Sequence, residues 1–399
     1  MVVVVGGGAS GLLASILISR GGKEVLLLEK NSRVGKKILV SGNGKCNIGN
    51  ISPKPKNYYS SNPNFIDKAL ENYGAKEIID IFKTIGIEII EGSNGKLFPL
   101  SLQASSVVDI LEYEAKRLGV EIICDCEVSD ISKKDNIFTI KSTIKDILAE
   151  TVILTSGSQA YPKLGGSSRG LDIATSLGHN IVTPLPSLVQ LSSDETWVKE
   201  VSGVKINSTV SLYANNQYIT QKSGDVLFTK YGVSGLAILD ISRDISIELS
   251  NHSYCHIEVD LMPKFSKERL AKLLLSTIDK DREIEIWLMG FINKKLAKVI
   301  LRESKCRAKY TSELNRKEIS KIVYNIKNLH IPISDTRGFN GAEVAIGGVD
   351  TVDINPKTME SKIVKDLYFT GEILDVDGDR GGYNFYFAWL GAIKLLNKF

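Results

Sequence analysis

The N-terminal sequence MVVVVGGGASG constrains the fold more than any other part of the chain. Val2 to Val5 is a short apolar run, typical of a strand buried in a parallel sheet. A GxGxxG motif follows at 6–11, then a helical segment at 12–19 and a second apolar run, Val25 to Leu28, that ends at Glu29. This order within about 30 residues predicts the strand–turn–helix–strand unit of a doubly wound α/β domain.

The three glycines of the motif have different roles in a dinucleotide site. Gly6 permits a tight turn, Gly8 lets the backbone approach a pyrophosphate, and Gly11 lets the helix pack close to the strand. Glu29 lies 18 positions after Gly11, where its carboxylate can accept hydrogen bonds from ribose hydroxyls and would repel a 2′-phosphate. The pattern predicts dinucleotide binding; the alternative is a turn that serves packing alone.

A second glycine-rich stretch, KKILVSGNGKCNIGN, occupies residues 36–50. Its lysines bracket Gly42 and Gly44, which offers cations and exposed backbone amides to an extended anionic ligand. FAD needs such contacts along its ribityl and flavin portions, so this stretch favours FAD over NAD. The alternative is a flexible surface loop.

The C-terminal sequence TGEILDVDGDRGGYNFYFAWLGA is the third motif. Asp375, Asp377 and Asp379 precede Gly381-Gly382, which opens an apolar helix. Carboxylates can hold ribityl hydroxyls, and a helix N-terminus can stabilise the negative charge of reduced flavin. The alternating aspartates resemble part of a calcium loop, but Tyr386 stands where that loop needs a glutamate, so we predict no metal site.

The chain has 399 residues, more than one hydrophobic core usually organises. The composition changes after residue 188, where Ser, Thr, Asn and β-branched residues dominate, and helical spacing returns from 264. We predict an α/β fold in which a Rossmann-type FAD-binding domain with a doubly wound sheet is interrupted by an insert. The predicted ranges are 1–189 and 336–399 for the FAD-binding domain, 190–263 and 326–335 for a β-rich insert domain, and 264–325 for a small helical subdomain.

Composition indicates the class of partner. Lys and Arg number 50 against 46 Asp and Glu, and this near-balance predicts a small-molecule substrate and no nucleic-acid partner. No segment approaches the roughly 20 apolar residues that span a bilayer, so no membrane partner is expected. The five cysteines are scattered and odd in number, as in a cytoplasmic protein with reduced thiols. The oligomeric state is not predicted.

The three motifs together resemble those of one family, the bacterial FAD-dependent oxidoreductases that include aminoacetone oxidases and a bile-acid-pathway reductase. The resemblance runs nearly end to end, through GGGASGL, KKILVSGNGKCNIGN, LFPLSLQASSVVDIL, YPKLGG, GHNIVTPLPSLVQL and TGEILDVDGDRGGYN. It implies a flavin-binding domain split by an insert that has a β-rich and a helical part. It also implies flavin contacts at Ser41–Asn47, at Gly371 and Asp375, and at Gly382–Phe385.

The motifs and the resemblance together give one set of predicted cofactor-binding residues. They are Gly6, Gly8, Ala9, Ser10, Gly11, Glu29, Lys30, Lys37, Ser41, Gly42, Asn43, Gly44, Lys45, Cys46, Asn47, Val128, Ser156, Gly157, Gly371, Glu372, Asp375, Gly382, Tyr383, Asn384 and Phe385. The sequence departs from the family at Arg169, where an acid is common, and at Phe385–Phe387, which replaces Leu-Gln-Trp. The resemblance therefore implies no specific substrate.

The expected chemistry is hydride transfer between a small organic substrate and flavin N5. We predict a reductase of an unsaturated or carbonyl compound with NAD(P)H as electron donor, which must dock without a second GxGxxG domain. The alternatives are an amine oxidase that uses oxygen, and a non-catalytic flavin redox sensor or RNA-associated flavoprotein. Tyr161, Tyr383 and Cys46 are the candidate catalytic residues, each with a structural role as its alternative.

Overall fold

The computed structural model describes residues 1–278 and 282–399. These form two compact units, Met1–Leu185 with Val344–Phe399, and Pro186–Glu343. The boundaries thus lie at 185/186 and 343/344, against the predicted 189/190 and 335/336. Residues 279–281 of the predicted helical subdomain lie outside the described residues.

The first unit is built around a parallel sheet. The strands of the first unit are β1 (Val2–Val5), β2 (Val25–Leu28), β3 (Gly49–Asn50), β4 (Tyr58–Tyr59), β5 (Ile89–Glu91), β6 (Lys96–Pro99), β7 (Glu121–Ile123), β8 (Val128–Lys134), β9 (Ile137–Ser142), β10 (Ile147–Ala149), β11 (Thr151–Leu154), β12 (Ile181–Ser187), β20 (Val344–Val349), β21 (Leu367–Phe369) and β22 (Asp377–Gly378). Strand β12 ends two residues past the boundary of this unit. The helices of the first unit are α1 (Ala9–Arg20), α2 (Lys36–Val40), α3 (Pro63–Leu70), α4 (Ala75–Ile85), α5 (Ala104–Arg117), α6 (Arg169–Ser176) and α14 (Tyr383–Lys394).

The central sheet has the strand order β21-β11-β1-β2-β7, with every pair parallel. Counted along the chain, this is the 3-2-1-4-5 order of a Rossmann fold. All residues of β1 and β2 are buried, which explains why these strands are apolar throughout instead of alternating. Helix α1 packs against α5 and α14.

The second unit contains a seven-stranded antiparallel sheet of order β18-β17-β14-β15-β16-β13-β19. Its strands are β13 (Leu191–Ser192), β14 (Lys205–Ala214), β15 (Gln217–Thr229), β16 (Gly232–Ser234), β17 (Cys255–Asp260), β18 (Leu329–Ile333) and β19 (Asp335–Thr336). The helices of the second unit are α7 (Thr196–Glu200), α8 (Leu236–Ser250), α9 (Lys267–Ser276), α10 (Ile284–Leu288), α11 (Lys294–Glu303), α12 (Arg316–Lys327) and α13 (Gly338–Gly341).

Helix α8 lies within 190–263, the range predicted to be β-rich, and was not itself predicted. Its sequence, LAILDISRDISIELS, is dense in isoleucine and serine, which have low helix propensity. The buried residues Ile238, Ile241 and Ile245 nevertheless recur every three or four positions, and this face packs on β14 and β15. Tertiary burial thus outweighs local propensity along this segment.

No helix within 1–278 and 282–399 combines the length and apolar character needed to cross a membrane.

Lys394 is a charged side chain inside the first unit, only 2% exposed. Its Nζ lies 4.3 Å from the centre of the Tyr73 ring, and burial lowers the pKa of Lys394 to about 8. The unfolded chain keeps this proton up to a pKa of about 10.4. The lysine therefore destabilises the fold at neutral pH, and the cost disappears as the pH rises through this interval.

Replacing Lys394 by Met keeps the length of the side chain and removes its charge. The free energy of unfolding at pH 7 should rise by about 1 to 2 kcal/mol, after allowance for the lost ring contact. The gain should vanish above about pH 10.4. Urea unfolding of both proteins at pH 7 and above about pH 10.4 measures the difference in their free energies of unfolding. A variant less stable than wild type at pH 7 would contradict the argument.

Candidate functional site

Many of the predicted site residues follow strands of the parallel sheet. Strand β1 runs into Gly6, β2 into Glu29, β11 into Thr155 and β21 into Thr370. Parallel strands end at a common edge, so these segments lie side by side. The strand order reverses between β1 and β11, and in such sheets ligands bind in the crevice at that reversal.

The glycine turn is closely packed at two positions and open at the third. A Cβ at Gly6 would lie 2.6 Å from the carbonyl oxygen of Thr155, and one at Gly11 would lie 1.9 Å from that of Gly6. Gly8 has an ordinary φ of −79°, and a Cβ there would meet nothing within 4 Å. The fold itself therefore needs glycine at 6 and 11, whereas glycine at 8 leaves an empty space in front of α1.

Glu29 fixes the shape of this turn. Its buried carboxylate accepts the Gly7 N–H through Oε2 at 2.7 Å. Oε1 accepts both the N–H and the side-chain amide of Asn31, at 2.8 and 2.5 Å. A carboxylate has about four acceptor positions, so Oε2 retains one that a ribose hydroxyl could use. Asn31 was not predicted, although its place two residues after Glu29 is a usable signal.

Lys37 and Glu372 form an ion pair across 335 positions of sequence, with Nζ and Oε2 2.9 Å apart. The other carboxylate oxygen accepts from Ser158 Oγ at 2.7 Å and from the Ala345 N–H at 3.1 Å. The pair therefore ties helix α2 to the segment after β21. Ser10 and Thr370 join the first turn of α1 to that segment through their hydroxyls.

The second glycine-rich segment is a turn of left-handed residues. Gly42, Asn43 and Gly44 have φ between 55° and 79°, and Gly42 through Lys45 are exposed. Asn47 anchors the turn: its amide nitrogen donates to Gly49 O at 2.9 Å, and its oxygen accepts the Gly382 N–H at 3.1 Å. The turn is thereby held against the start of α14.

The aspartate-rich loop is braced by hydrogen bonds with several partners. Asp375 is buried and accepts the N–H and hydroxyl of Ser61 at 2.8 and 2.6 Å. Asp379 accepts from Asn57 and Tyr59, at 3.1 Å each. These two carboxylates therefore have separate partners, and among the described residues no group of three or more His, Cys, Asp or Glu could hold a metal ion.

Asn384 holds the start of α14 to the same loop. Its side chain accepts from the N–H of Gly378 and donates to the carbonyl of Gly378, both at 2.8 Å. The ring of Phe385 stacks on Trp389 with centres 5.9 Å apart. The structure thus brings Gly382–Phe385 together with the Asn47 turn.

The remaining predicted residues lie at the start of α1, after β2, after β11 and at the start of β8. Ala9 is the first residue of α1, and Lys30 follows Glu29. Ser156 and Gly157 follow β11; the buried Ser156 Oγ makes no hydrogen bond within the described residues. Val128 is buried at the start of β8, which pairs with β9 in a separate three-stranded sheet.

The three candidate catalytic residues differ in environment. Burial raises the pKa of Cys46 to about 12, so its thiol stays protonated at neutral pH. Burial, followed by the Asp379 carboxylate, raises the pKa of Tyr383, whose ring meets Tyr58 edge-on at 5.9 Å. Tyr161 has a left-handed backbone with φ of 55°, a costly conformation for a bulky residue that is frequent at functional sites.

Several positioning residues were not predicted. Thr155 donates its hydroxyl to Gly6 O at 2.7 Å, Ser61 binds Asp375, and Ser158 binds Glu372. Thr155 and Ser158 flank the predicted pair Ser156-Gly157, so their place after a buried strand was a signal. Ser61 carries no such signal, because it meets Asp375 only in the folded chain.

The sequence matches, over residues 1–395, the family model described as HI0933-like protein Rossmann domain. The chain belongs to this family. A 3-dehydro-bile acid delta(4,6)-reductase from Clostridium scindens is 33% identical over 391 residues, covering 97% of this chain and 95% of that protein. The ribosomal RNA dihydrouridine synthase of Escherichia coli is 30% identical over 399 residues, covering 98% and 95%.

The protein of the same description from Haemophilus influenzae is 31% identical and covers 98% of this chain and 96% of its own length. Among solved structures, the 3-ketosteroid delta1-dehydrogenase from Sterolibacterium denitrificans has a TM-score of 0.52 at 11% identity, covering 99% and 98%. That likeness shows the fold. The predicted family, the α/β fold class and the assignment as an FAD-dependent oxidoreductase are confirmed at the level of the family.

Gly8→Val should abolish FAD binding and leave the fold intact, because the added side chain fills the empty space and strains nothing. Gly74→Val is the matched control, since Gly74 also caps a helix and has a φ of −135°. Flavin absorbance after incubation with FAD, and thermal unfolding of the apoproteins, measure the two effects. Full flavin content in Gly8→Val would show that this space is not where the cofactor lies.

Cys46 should resist iodoacetamide at pH 8 in the native protein, because its thiol is fully buried and protonated. Cys306, which is partly exposed, serves as the internal reference. Mass spectrometry of alkylated peptides compares the two rates. Equal labelling of both cysteines in folded protein would show that Cys46 is accessible.

Proposed function

We propose that this protein binds FAD at the carboxyl edge of its parallel sheet and reduces a carbon–carbon double bond that is conjugated to a carbonyl group, with NAD(P)H as electron donor. The main support for this reaction is that the relatives named above catalyse reactions of one chemical type. A delta(4,6)-reductase of a 3-dehydro-bile acid and a dihydrouridine synthase both saturate a double bond of this kind, in different substrates.

The site geometry supports FAD as the cofactor. The space in front of Gly8 suits a pyrophosphate, and the N-terminal N–H groups of α1 favour its negative charge. The unused acceptor position of Glu29 suits a ribose hydroxyl. Asn47 holds the exposed turn Gly42–Lys45 against the start of α14, and these two segments suit the longer flavin part of FAD.

The reaction needs a hydride and a proton on opposite ends of the double bond. The substrate carbon β to the carbonyl takes the hydride, the α carbon takes a proton, and the π bond is lost. When bound, FAD that NAD(P)H has reduced by two electrons would supply this hydride. The chain's own part is to orient the substrate and to hold a proton donor within reach of the α carbon.

A tyrosine hydroxyl is the proton donor that the local chemistry favours. The Tyr383 phenol is protonated at neutral pH, since burial raises a pKa that already lies well above 7, and the strained backbone of Tyr161 marks a second candidate. Cys46 is disfavoured because its thiol is fully buried. The tyrosines could each act on substrate or pack beside the flavin, and single Phe substitutions separate these roles.

Anaerobic spectroscopy tests the proposed reaction. Addition of NADH or NADPH should bleach the flavin absorbance, and addition of an acceptor should restore it. The two acceptors to compare are an unsaturated 3-oxo bile acid and a transcript of ribosomal RNA that contains uridine. No bleaching by either nicotinamide, or bleaching only by an amine with reoxidation by oxygen, would contradict the proposal.

Tyr161→Phe and Tyr383→Phe should identify the proton donor. Loss of a general acid slows a reaction about 10²- to 10⁴-fold, so one variant should reoxidise with substrate at least tenfold more slowly than wild type. Its reduction by NAD(P)H should stay unchanged. Tyr113→Phe is the control, because that side chain is 67% exposed. Normal reoxidation in both variants would assign the proton to another group.

A further inference from the structure

One face of the seven-stranded sheet in the second unit carries two neighbouring histidines. Ile257 and Ile331, which are paired across β17 and β18, are buried in the core of this unit. Because successive residues of a strand face opposite sides of the sheet, His256 and His330 lie on the other face. Strand β18 is an edge of the sheet and pairs directly with β17. The fold thus places side by side two histidines that are far apart in the sequence.

His256 has a buried ring nitrogen that the polypeptide does not satisfy. Its side chain is 6% exposed and is stacked on Tyr213, with ring centres 5.0 Å apart and ring planes within 2° of parallel. The Nδ1 atom makes no hydrogen bond with any residue of 1–278 and 282–399. A buried nitrogen without a partner is unfavourable to the fold, so this atom points to a ligand from outside the chain.

His330 is close enough to His256 for both imidazoles to bind one ion. Their ring centres are 4.4 Å apart, and the ring planes are tilted by 34°. An ion at the usual metal–nitrogen distance of about 2.0–2.1 Å lies about 3.2 Å from the centre of an imidazole ring. Ring centres at this separation subtend about 90° at such an ion, the angle between neighbouring ligands in square-planar and octahedral coordination. Tetrahedral coordination, which Zn²⁺ prefers, would need centres about 5.2 Å apart.

The charge on this face also favours a cation. Glu258 lies opposite His330 in the pairing of β17 with β18, and its Oε2 accepts the side-chain amide of Asn328 at 2.9 Å. Glu258 forms no ion pair within the part of the chain that the structure describes, so its negative charge can attract a cation. Burial, followed by the neighbouring His330, lowers the pKa of His256. That imidazole is therefore neutral at pH 7, which is the form that binds metals.

We propose that His256 and His330 bind one divalent transition-metal ion, Cu²⁺ or Ni²⁺ in preference to Zn²⁺, with water completing its coordination. The right angle at the ion selects these metals, for which imidazole is a suitable ligand. A pair of ligands differs from a group of three or more, which the described residues do not form. The bound ion links β17 to the edge strand β18 and stabilises the folded unit. This site requires neither FAD nor substrate, so it goes beyond the proposed function.

Isothermal titration calorimetry of the tag-free full chain with NiCl₂ at neutral pH tests the site. Wild type should bind one Ni²⁺ through the pair. His330→Gln and His256→Gln should each bind it at least tenfold more weakly, because a single imidazole cannot chelate the ion. His252→Gln is the matched control, since it removes an exposed histidine outside the pair, and it should bind like wild type. Zn²⁺ should bind wild type less tightly than Ni²⁺ does.

Two further measurements do not depend on the buried position. His330 is exposed, so His330→Gln should fold even where His256→Gln does not. Electron paramagnetic resonance with one equivalent of Cu²⁺ should show coupling to two imidazole nitrogens in wild type and to one in His330→Gln. Ni²⁺ should raise the thermal unfolding midpoint of wild type and of His252→Gln but not that of His330→Gln.

Three results would overturn the proposal. Equal Ni²⁺ affinity in wild type and His330→Gln would show that the ion lies elsewhere. A Cu²⁺ spectrum of wild type with fewer than two imidazole nitrogens would exclude the pair as ligands. Tighter binding of Zn²⁺ than of Ni²⁺ would contradict the right angle at the ion. None of these measurements involves turnover, so the proposed reaction stands or falls separately.

Discussion

The close contact between the end of β1 and the start of α1 is the constraint on which the rest of the sheet edge depends. A side chain at Gly6 would meet the backbone of Thr155, and one at Gly11 would meet the backbone of Gly6. Thr155 and Glu29 then fix the turn from the two neighbouring strands, by hydrogen bonds to Gly6 O and from Gly7 N–H. Between these tightly packed positions, Gly8 faces an empty space.

Local pattern was sufficient to predict the framework of this edge. The apolar runs of β1 and β2, the glycine spacing and the acid at 29 describe contacts among residues close in sequence. Such contacts have few alternatives, since a fully apolar strand must be buried on both faces. The parallel order of these strands and the position of Glu29 therefore follow from about 30 residues of sequence.

Contacts between distant segments could not be predicted in this way. Lys37 meets Glu372, Asn47 meets Gly382, and Ser61 meets Asp375, and no period or spacing links the members of each pair. Helix α8 was missed because its isoleucines favour strands until they are buried against β14 and β15.

The central claim is that the sheet edge holds one FAD through the glycine turn, and the most direct measurement is the nucleotide that the purified wild-type chain releases on heating. Chromatography identifies the released molecule, and absorbance gives its ratio to protein. The account predicts FAD, close to one per chain after incubation with excess cofactor. Release of FMN or NAD in its place, or of no nucleotide after that incubation, would contradict it.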